Sequence, residues 1–316
     1  MSKYVFGVDV GGTTVKLGLF TLEGELLDKW EIPTRSENSG IHILPDVAES
    51  ILKKAEEKKI EKSDIAGAGI GVPGPVDSEG AVHCAVNLGW GEFNVEKELS
   101  KMTGIPAKAG NDANVAALGE MWKGGGKGHK SLVAVTLGTG IGGGIIIDGK
   151  LLSGFTGAGG EIGHLHIMDN EPDKCGCGNH GCLEQYGSAT GVVMLAERHL
   201  AKTGKPSMLR GRELSAKAVF DAVKCGDEMA IEIAEQFGEI LGKGLAVIAS
   251  IVNPEVFVIG GGVSKAGTVL FDYIRPAFDR YVFKGSRSTE FVLAMLGNDA
   301  GIYGAAKLVM DHSVYI

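Results

Sequence analysis

Two short β-rich runs, Tyr4–Val10 and residues 15–20, are separated only by Gly11-Gly12-Thr13-Thr14, and Leu132–Leu137 and residues 144–147 flank a second glycine loop in the same way. Runs of β-formers joined through glycines read as hairpins. The chain therefore opens with a hairpin and repeats the device in its second half. That repeat constrains the fold most, because it points to two domains, each begun by one such unit. The length agrees: 316 residues make about two domains at ~100–200 residues each. Glycine is abundant throughout, 50 of 316 residues, more than twice the usual ~7%. It follows no collagen-like period and sits among 44% hydrophobic residues, which excludes a fibre or a disordered chain.

Elsewhere strand-like and helix-like segments alternate, the mark of an α/β protein. Apolar residues from Ile43 to Ala55 recur at helical spacing. Ile65–Val72 reads as a strand ended by Pro73-Gly74-Pro75, and a short helix over 95–102 stops at Gly104 and Pro106. Another helix begins near Asp112, and Gly124 to Gly128 reads as a mobile turn near a domain boundary. Beyond the second hairpin, helices are expected over 183–201, 216–223, 229–251, 266–281 and 301–310, with strands at 256–259 and 291–293. The expected division is a small N-terminal α/β domain over 1–115 and a larger one over 116–300. A C-terminal helix, 301–316, is expected to return to the first.

The 31 basic and 39 acidic residues give a net charge of −8, which argues against a nucleic-acid or membrane-surface binder. No apolar run approaches the ~18 residues of a membrane span; the longest, over 245–252, ends at Asn253-Pro254. Asp9 arrives before any long apolar stretch of a secretory signal, so a cytoplasmic protein is expected. The five cysteines, an odd number, make a poor disulfide framework.

Two stretches match the dinucleotide pattern GxGxxG, at Gly69 to Gly74 and at Gly138 to Gly143. That pattern holds a pyrophosphate only between a strand and a helix. Here one runs into Pro73 and Pro75 and the other into a strand, so both fail, and no GxxxxGK[ST] occurs. What remains is a tight glycine turn with adjacent threonines, which offers backbone N–H groups and hydroxyls with no Cβ in the way. Asp9-Val10-Gly11-Gly12-Thr13-Thr14-Val15-Lys16 adds a carboxylate for hydrated Mg²⁺ and a lysine for phosphate. Gly138-Thr139-Gly140 repeats the turn, and Gly260-Gly261-Gly262 lies between a strand and a helix.

Cys175, Cys177 and Cys182 fall within eight positions, with His164, His166 and His180 nearby. Three thiols and one imidazole suit a closed, four-coordinate structural zinc site, and thiolates disfavour Mg²⁺ or Ca²⁺. The spacing is not that of a standard finger, so by spacing alone buried free thiols or a redox pair stand beside zinc.

The order of Asp-x-Gly-Gly-Thr, Asn111-Asp112-Ala113-Asn114, the loop at Gly138 and Gly260 to Ser264 resembles the sugar-kinase branch of the actin/hexokinase ATPase superfamily. Within that branch it is similar to the ROK family, whose CxCGxxGCxE signature is intact from Cys175 to Glu184. The resemblance covers about residues 3–310. It implies two similar actin/ribonuclease H-like domains with ATP and sugar in the cleft between them, and a homodimer. Asp9, Gly11, Gly12, Thr13, Thr14 and Lys16 would face phosphates and Mg²⁺, as would Gly138, Thr139 and Gly140 from the other side. Gly261 and Gly262 would approach the adenosine. The helices after Asp112 and from Gly301 would form a crossing pair.

The same resemblance favours zinc, with His164 as its fourth ligand and the other His164 nitrogen toward the sugar. Gly74, Asn87, Asn111, Asp112, Glu161, His164 and Glu184 would surround the sugar. Asp112 by itself reads equally as a helix cap; the resemblance makes it the group that orients the attacking hydroxyl and takes its proton. The set looks most like glucokinase members, which turn glucose into glucose 6-phosphate. Kinases of fructose, mannose, N-acetylmannosamine or N-acetylglucosamine share most of it. The family's sugar-sensing repressors carry a helix-turn-helix ahead of the first phosphate loop; with eight residues before Asp9, a repressor is not expected.

Overall fold

The computed structural model describes residues 2–311, so the last five positions of the expected 301–316 helix lie outside the described residues. The chain packs as two compact units. One holds the chain up to Lys130, Gly144–Gly160 and the chain from Leu296; the other holds Ser131–Gly143 and Glu161–Met295.

The first unit opens with β1 (Tyr4–Val10), β2 (Thr14–Thr21) and β3 (Leu26–Pro33), paired antiparallel in turn with Asp9 opposite Lys16. Next come α1 (Ile43–Glu57), β4 (Ile65–Val72), the short pair β5 (Ala81–Val82) and β6 (Phe93–Asn94), and α2 (Val95–Thr103). β7 (Ala107–Asn111) then leads directly into α3 (Asp112–Lys123). β4 lies parallel to both β1 and β7, in the order β3-β2-β1-β4-β7. The spacing of Ile43, Val47 and Ile51 puts them on one face of α1, where they join Phe6, Val8, Leu17 and Ile70 in a fully buried core.

A second sheet starts with β8 (Leu132–Leu137), β9 (Ile141–Ile147) and β10 (Lys150–Leu151). The helices α4 (Glu184–Gly187), α5 (Ala189–Ala201), α6 (Ala216–Lys224) and α7 (Glu228–Val252) follow. Then come β11 (Val256–Gly260), α8 (Gly261–Ser264), α9 (Val269–Tyr281) and β12 (Glu290–Leu293). This sheet has the order β10-β9-β8-β11-β12, with β11 parallel to β8 and β12. One sheet plan is thus built twice, as the repeated hairpin predicts, in the two-domain α/β class the resemblance implies. α10 (Ala300–Met310) completes the first unit. Among the described residues no helix is long and apolar enough to cross a membrane.

α10 packs on α3, β1 and β4 at backbone distance. A Cβ at Gly304 would strike the Val115 carbonyl, and one at Gly7 or Gly69 would strike the α10 carbonyls of Ile302 or Ala305. This close approach uses glycines that the motif loops leave unexplained.

The structure departs from the sequence reading in several places. β3 and β7 are strands that were not expected there. The 183–201 helix is two helices, because Ser188 takes an extended conformation and its side chain caps the Gly191 N–H of α5. The 266–281 helix starts at Val269, after Gly267 at φ +87°. The Gly124 turn is tied down: the buried Glu120 accepts the Gly125 N–H at 2.8 Å on its carboxylate, and its carbonyl takes those of Gly124 and Gly126.

Candidate active site and metal centre

The first glycine turn is closed by its own backbone, the Gly11 N–H donating to the Thr14 carbonyl at 3.0 Å. Thr34, just past β3, holds it from the side: its hydroxyl donates to the Gly11 carbonyl at 2.7 Å and its N–H to that of Thr13 at 2.9 Å. A Cβ on Gly12 would meet nothing, so the outer face of the turn is open. Asp9, near the end of β1, lies against Gly301 in the first turn of α10. Its carboxyl is pushed up to about 6, first by burial and then by the nearby Asp112, while Lys16 pulls the other way. The Lys16 ammonium donates to the Asn298 carbonyl at 3.0 Å.

β7 delivers Asn111 and Asp112 to the start of α3. The Asn111 side chain accepts the Asn114 N–H at 3.1 Å, which makes Asn111 the cap of this helix. Its amide donates to the Gly74 carbonyl and to Asp112 Oδ1, both at 3.1 Å. Asp112 is the first helical residue, and its Oδ1 also accepts the Ala113 N–H at 2.8 Å. Gly74 turns at φ +88°, with the Cys84 carbonyl packed where a Cβ would be. Asn87 stands exposed on the short turn Val86–Leu88.

In the second unit the Gly138 N–H donates to the Gly140 carbonyl at 3.0 Å. The missing side chain of Gly140 makes room for the Glu184 carboxylate, whose Oε2 accepts the Ile141 N–H at 2.9 Å. The start of α5 supports this loop: the Thr190 hydroxyl donates to the Thr139 carbonyl at 2.7 Å, and the Ala189 N–H to that of Gly138 at 2.8 Å. Gly261, at φ +84°, packs on the Leu137 backbone and sets the Gly260 to Gly262 segment beside the loop.

His164 and the three cysteines come together, one ligand atom from each lying within 4.8 Å of every other. His164 Nδ1 is 3.6 Å from Cys175 Sγ, and Cys177 Sγ is 3.7 Å from Cys182 Sγ. This cluster could hold a metal ion. The other histidines are engaged elsewhere: His166 with the His180 carbonyl and Asp169, His180 with the Glu171 carbonyl. The second His164 nitrogen faces Glu161 Oε2 at 3.9 Å. Glu184 Oε1 sits 3.6 Å from Cys175 Sγ, so one carboxylate touches both the cluster and the glycine loop. Burial pushes the Cys175 thiol up and that of Cys182 up to about 12, while the Asn179 backbone draws Cys177 down. An ion bound here would displace protons from the buried pair.

Sequence reasoning missed the supports. Thr34, Ser188 and Thr190 lie in no motif, and neither do Glu171, Arg198 and Tyr186, which anchor the cysteine loop. Only the tertiary fold brings them to the loops they hold.

The chain matches the ROK family over residues 5–312, and it belongs to that family. It is 41% identical over 313 residues to a glucokinase of Halalkalibacterium halodurans, covering 97% of this chain and 95% of that one. A Thermotoga maritima glucokinase is 37% identical, with 97% of each chain covered. Among solved structures, a ROK family glucokinase of Streptomyces griseus in complex with glucose and AMPPNP matches with a TM-score of 0.75 at 33% identity, covering 96% of this chain and 98% of that one.

Proposed function

We propose that the protein is an ATP-dependent sugar kinase that phosphorylates glucose at its 6-hydroxyl, with Asp112 as general base. The observation that carries this is the division of labour at the start of α3. Asn111 caps the helix and braces Gly74, so Asp112 is not needed as the cap. In the reaction the sugar hydroxyl oxygen bonds to the γ-phosphorus, the bond to the β-γ bridging oxygen breaks, and ADP leaves. The hydroxyl proton passes to the Asp112 carboxylate. A loose transition state needs little early deprotonation, so positioning carries much of the rate. Gly74, Asn87, Asn111, Glu161, His164 and Glu184 are assigned to the sugar hydroxyls.

The Gly11 to Thr14 turn, Lys16 and the Gly138 to Gly140 loop are assigned to the phosphates, and Gly261 and Gly262 to the nucleoside. Asp9, a buried acid beside Lys16, suits a hydrated Mg²⁺; when bound, that ion supplies charge neutralisation on the phosphates. The cysteine cluster suits zinc: bonds of ~2.0–2.3 Å to a tetrahedral ion separate its ligand atoms by about 3.5–3.8 Å, as two pairs already stand at 3.6 and 3.7 Å, with every pair within 4.8 Å. Zinc there would fix the loop that carries His164 and Glu184. The family resemblance supports a cytoplasmic homodimer, which light scattering and cell fractionation test.

A coupled ADP-release assay with Mg-ATP tests the reading across glucose, mannose, fructose, N-acetylglucosamine and N-acetylmannosamine. Glucose is expected to give the highest kcat/KM. Turnover of another sugar in preference would reassign the substrate, and no turnover on any would remove the kinase reading.

A further inference from the structure

We propose that Glu171, clasped by Arg198 and Tyr186, is a positioning residue for the metal cluster, holding the cysteine loop on α5 so that its ligands stand ready for an ion. The proposal rests on the reading of that cluster as a metal site. Glu171 is only 6% exposed, yet it is ionic. Its carboxylate accepts two N–H bonds from the Arg198 guanidinium, at 2.8 and 2.7 Å. It also takes the Tyr186 hydroxyl and, at 3.0 Å, the Asp173 N–H. Arg198 holds the Glu171 carboxyl down to about 2, so the clasp is charged wherever thiols can bind metal.

Both limbs of the loop meet at this residue. On the outgoing limb Arg198 reaches Asp173 as well, at 2.7 Å. On the returning limb the His180 ring lies 2.9 Å from the Glu171 carbonyl. Gln185, next to Tyr186, ties the same two limbs again: its amide donates to the Asp173 carbonyl at 2.9 Å, and its oxygen accepts the Cys182 N–H at 3.1 Å. Cys175 and Cys182 thus lie between fixed points, whereas Cys177 is exposed on the turn between them. Glu171 is buried while Arg198 keeps 35% of its side chain exposed; an ion pair so placed is weak support for stability, and the best-attested use of such pairs is to specify one arrangement. Here that arrangement is the one in which four ligand atoms converge. Partners beyond the ligands are worth 10–100-fold in metal affinity where such sites have been probed by mutation.

The test measures metal affinity, not turnover. Wild type, Glu171→Gln, Arg198→Lys and, as a control, Glu232→Gln are stripped of metal and titrated with Zn²⁺ against a chromophoric chelator. Each is then saturated with Co²⁺ for its absorption spectrum. Glu232 pairs with His199, the neighbour of Arg198, on the surface. Glu171→Gln is expected to bind Zn²⁺ roughly 10–100-fold more weakly, with the wild-type cobalt spectrum at saturation. Arg198→Lys, which keeps the charge but not the fork, should fall between, and Glu232→Gln should match wild type. Unchanged affinity in Glu171→Gln overturns the proposal, as does an altered cobalt spectrum, which would mean a changed ligand set. Should Glu171→Gln fail to fold, wild-type affinity in Arg198→Lys overturns it equally. Wild type that takes up no Zn²⁺ or Co²⁺ would instead sink the metal reading, and this proposal with it.

Discussion

The two glycine loops sit in the same place on the same sheet plan, between the first two strands of each hairpin, yet they are held differently. The Gly11 to Thr14 turn is fixed by backbone and by Thr34, and the charged groups of its unit, Asp9, Lys16 and Asp112, gather around it. The Gly138 to Gly140 loop also closes on its own backbone, but it lies between hydrophobic strands and is braced by Glu184 and by the start of α5. Duplication of a scaffold therefore need not duplicate its chemistry. On our reading one copy carries the reacting charges, and the other carries a shape set by helix termini and a metal-binding loop.

The sharpest way to break that contrast is Asp112→Asn. General-base loss is worth roughly 10²–10⁴-fold, so kcat should fall by that order while glucose affinity, read by calorimetry, changes only a few-fold. A kcat near wild type would end the assignment. Next in size is metal removal, which should abolish most activity and raise hydrogen exchange over residues 174–182 while sparing the Asp9 and Asp112 segments. Full activity in a zinc-free protein verified by mass spectrometry would show that the second copy needs no such support. Thr190→Val removes the hydroxyl's bonds to the Thr139 carbonyl and to the Ser188 hydroxyl; with the bond to the loop worth about 0.5–1.5 kcal/mol, KM for ATP should rise by up to about tenfold with kcat little changed. An unaltered KM would detach α5 from the loop.

Acidity should separate the copies most finely, because their buried carboxyls respond with opposite sign. Glu171 titrates near 4.5 when unfolded and about 2 when folded. Its contribution is complete above about pH 4.5 and is lost as pH falls toward 2. Asp9 moves from 3.8 to about 6 on folding. The ligand-free fold thus binds its proton more tightly, and stability from this group declines as pH rises from about 4 to 6. Protection from exchange, resolved by segment, should rise around Glu171 between about pH 2 and 4.5 and fall around Asp9 between about pH 4 and 6, and Asp9→Asn should flatten the Asp9 part alone.

Much of this was legible in the sequence. The hairpins, Ile65–Val72, α7 and the cysteine cluster stand out because their signals are local: runs of β-formers, helical periodicity, thiol spacing. β7 was not legible, since Ala107-Lys108-Ala109-Gly110-Asn111 contains no β-branched residue and is a strand because it lies beside β4. β3 hides its alternation, with Asp28 on the same half-buried side as Leu26, Trp30 and Ile32. The Glu171 clasp spans 27 positions to Arg198, and no pattern in the chain announces such a pair.

The contact of α10 with its neighbours bears on how freely this protein can change. Gly7, Gly69 and Gly304 each press on main chain, and Gly301 presses on the carboxylate of Asp9. Main chain cannot step aside as a side chain can, so even one methyl group at these points would shift the helix. Because Asp9 and Asp112 belong to the elements gripped there, the shift would reach both carboxylates together. These positions have no slack. In a saturation library they should tolerate fewer alternatives than the greasy interior under α1, and the surplus glycine would show itself as a map of intolerance running from the heart of the first sheet to its two acids.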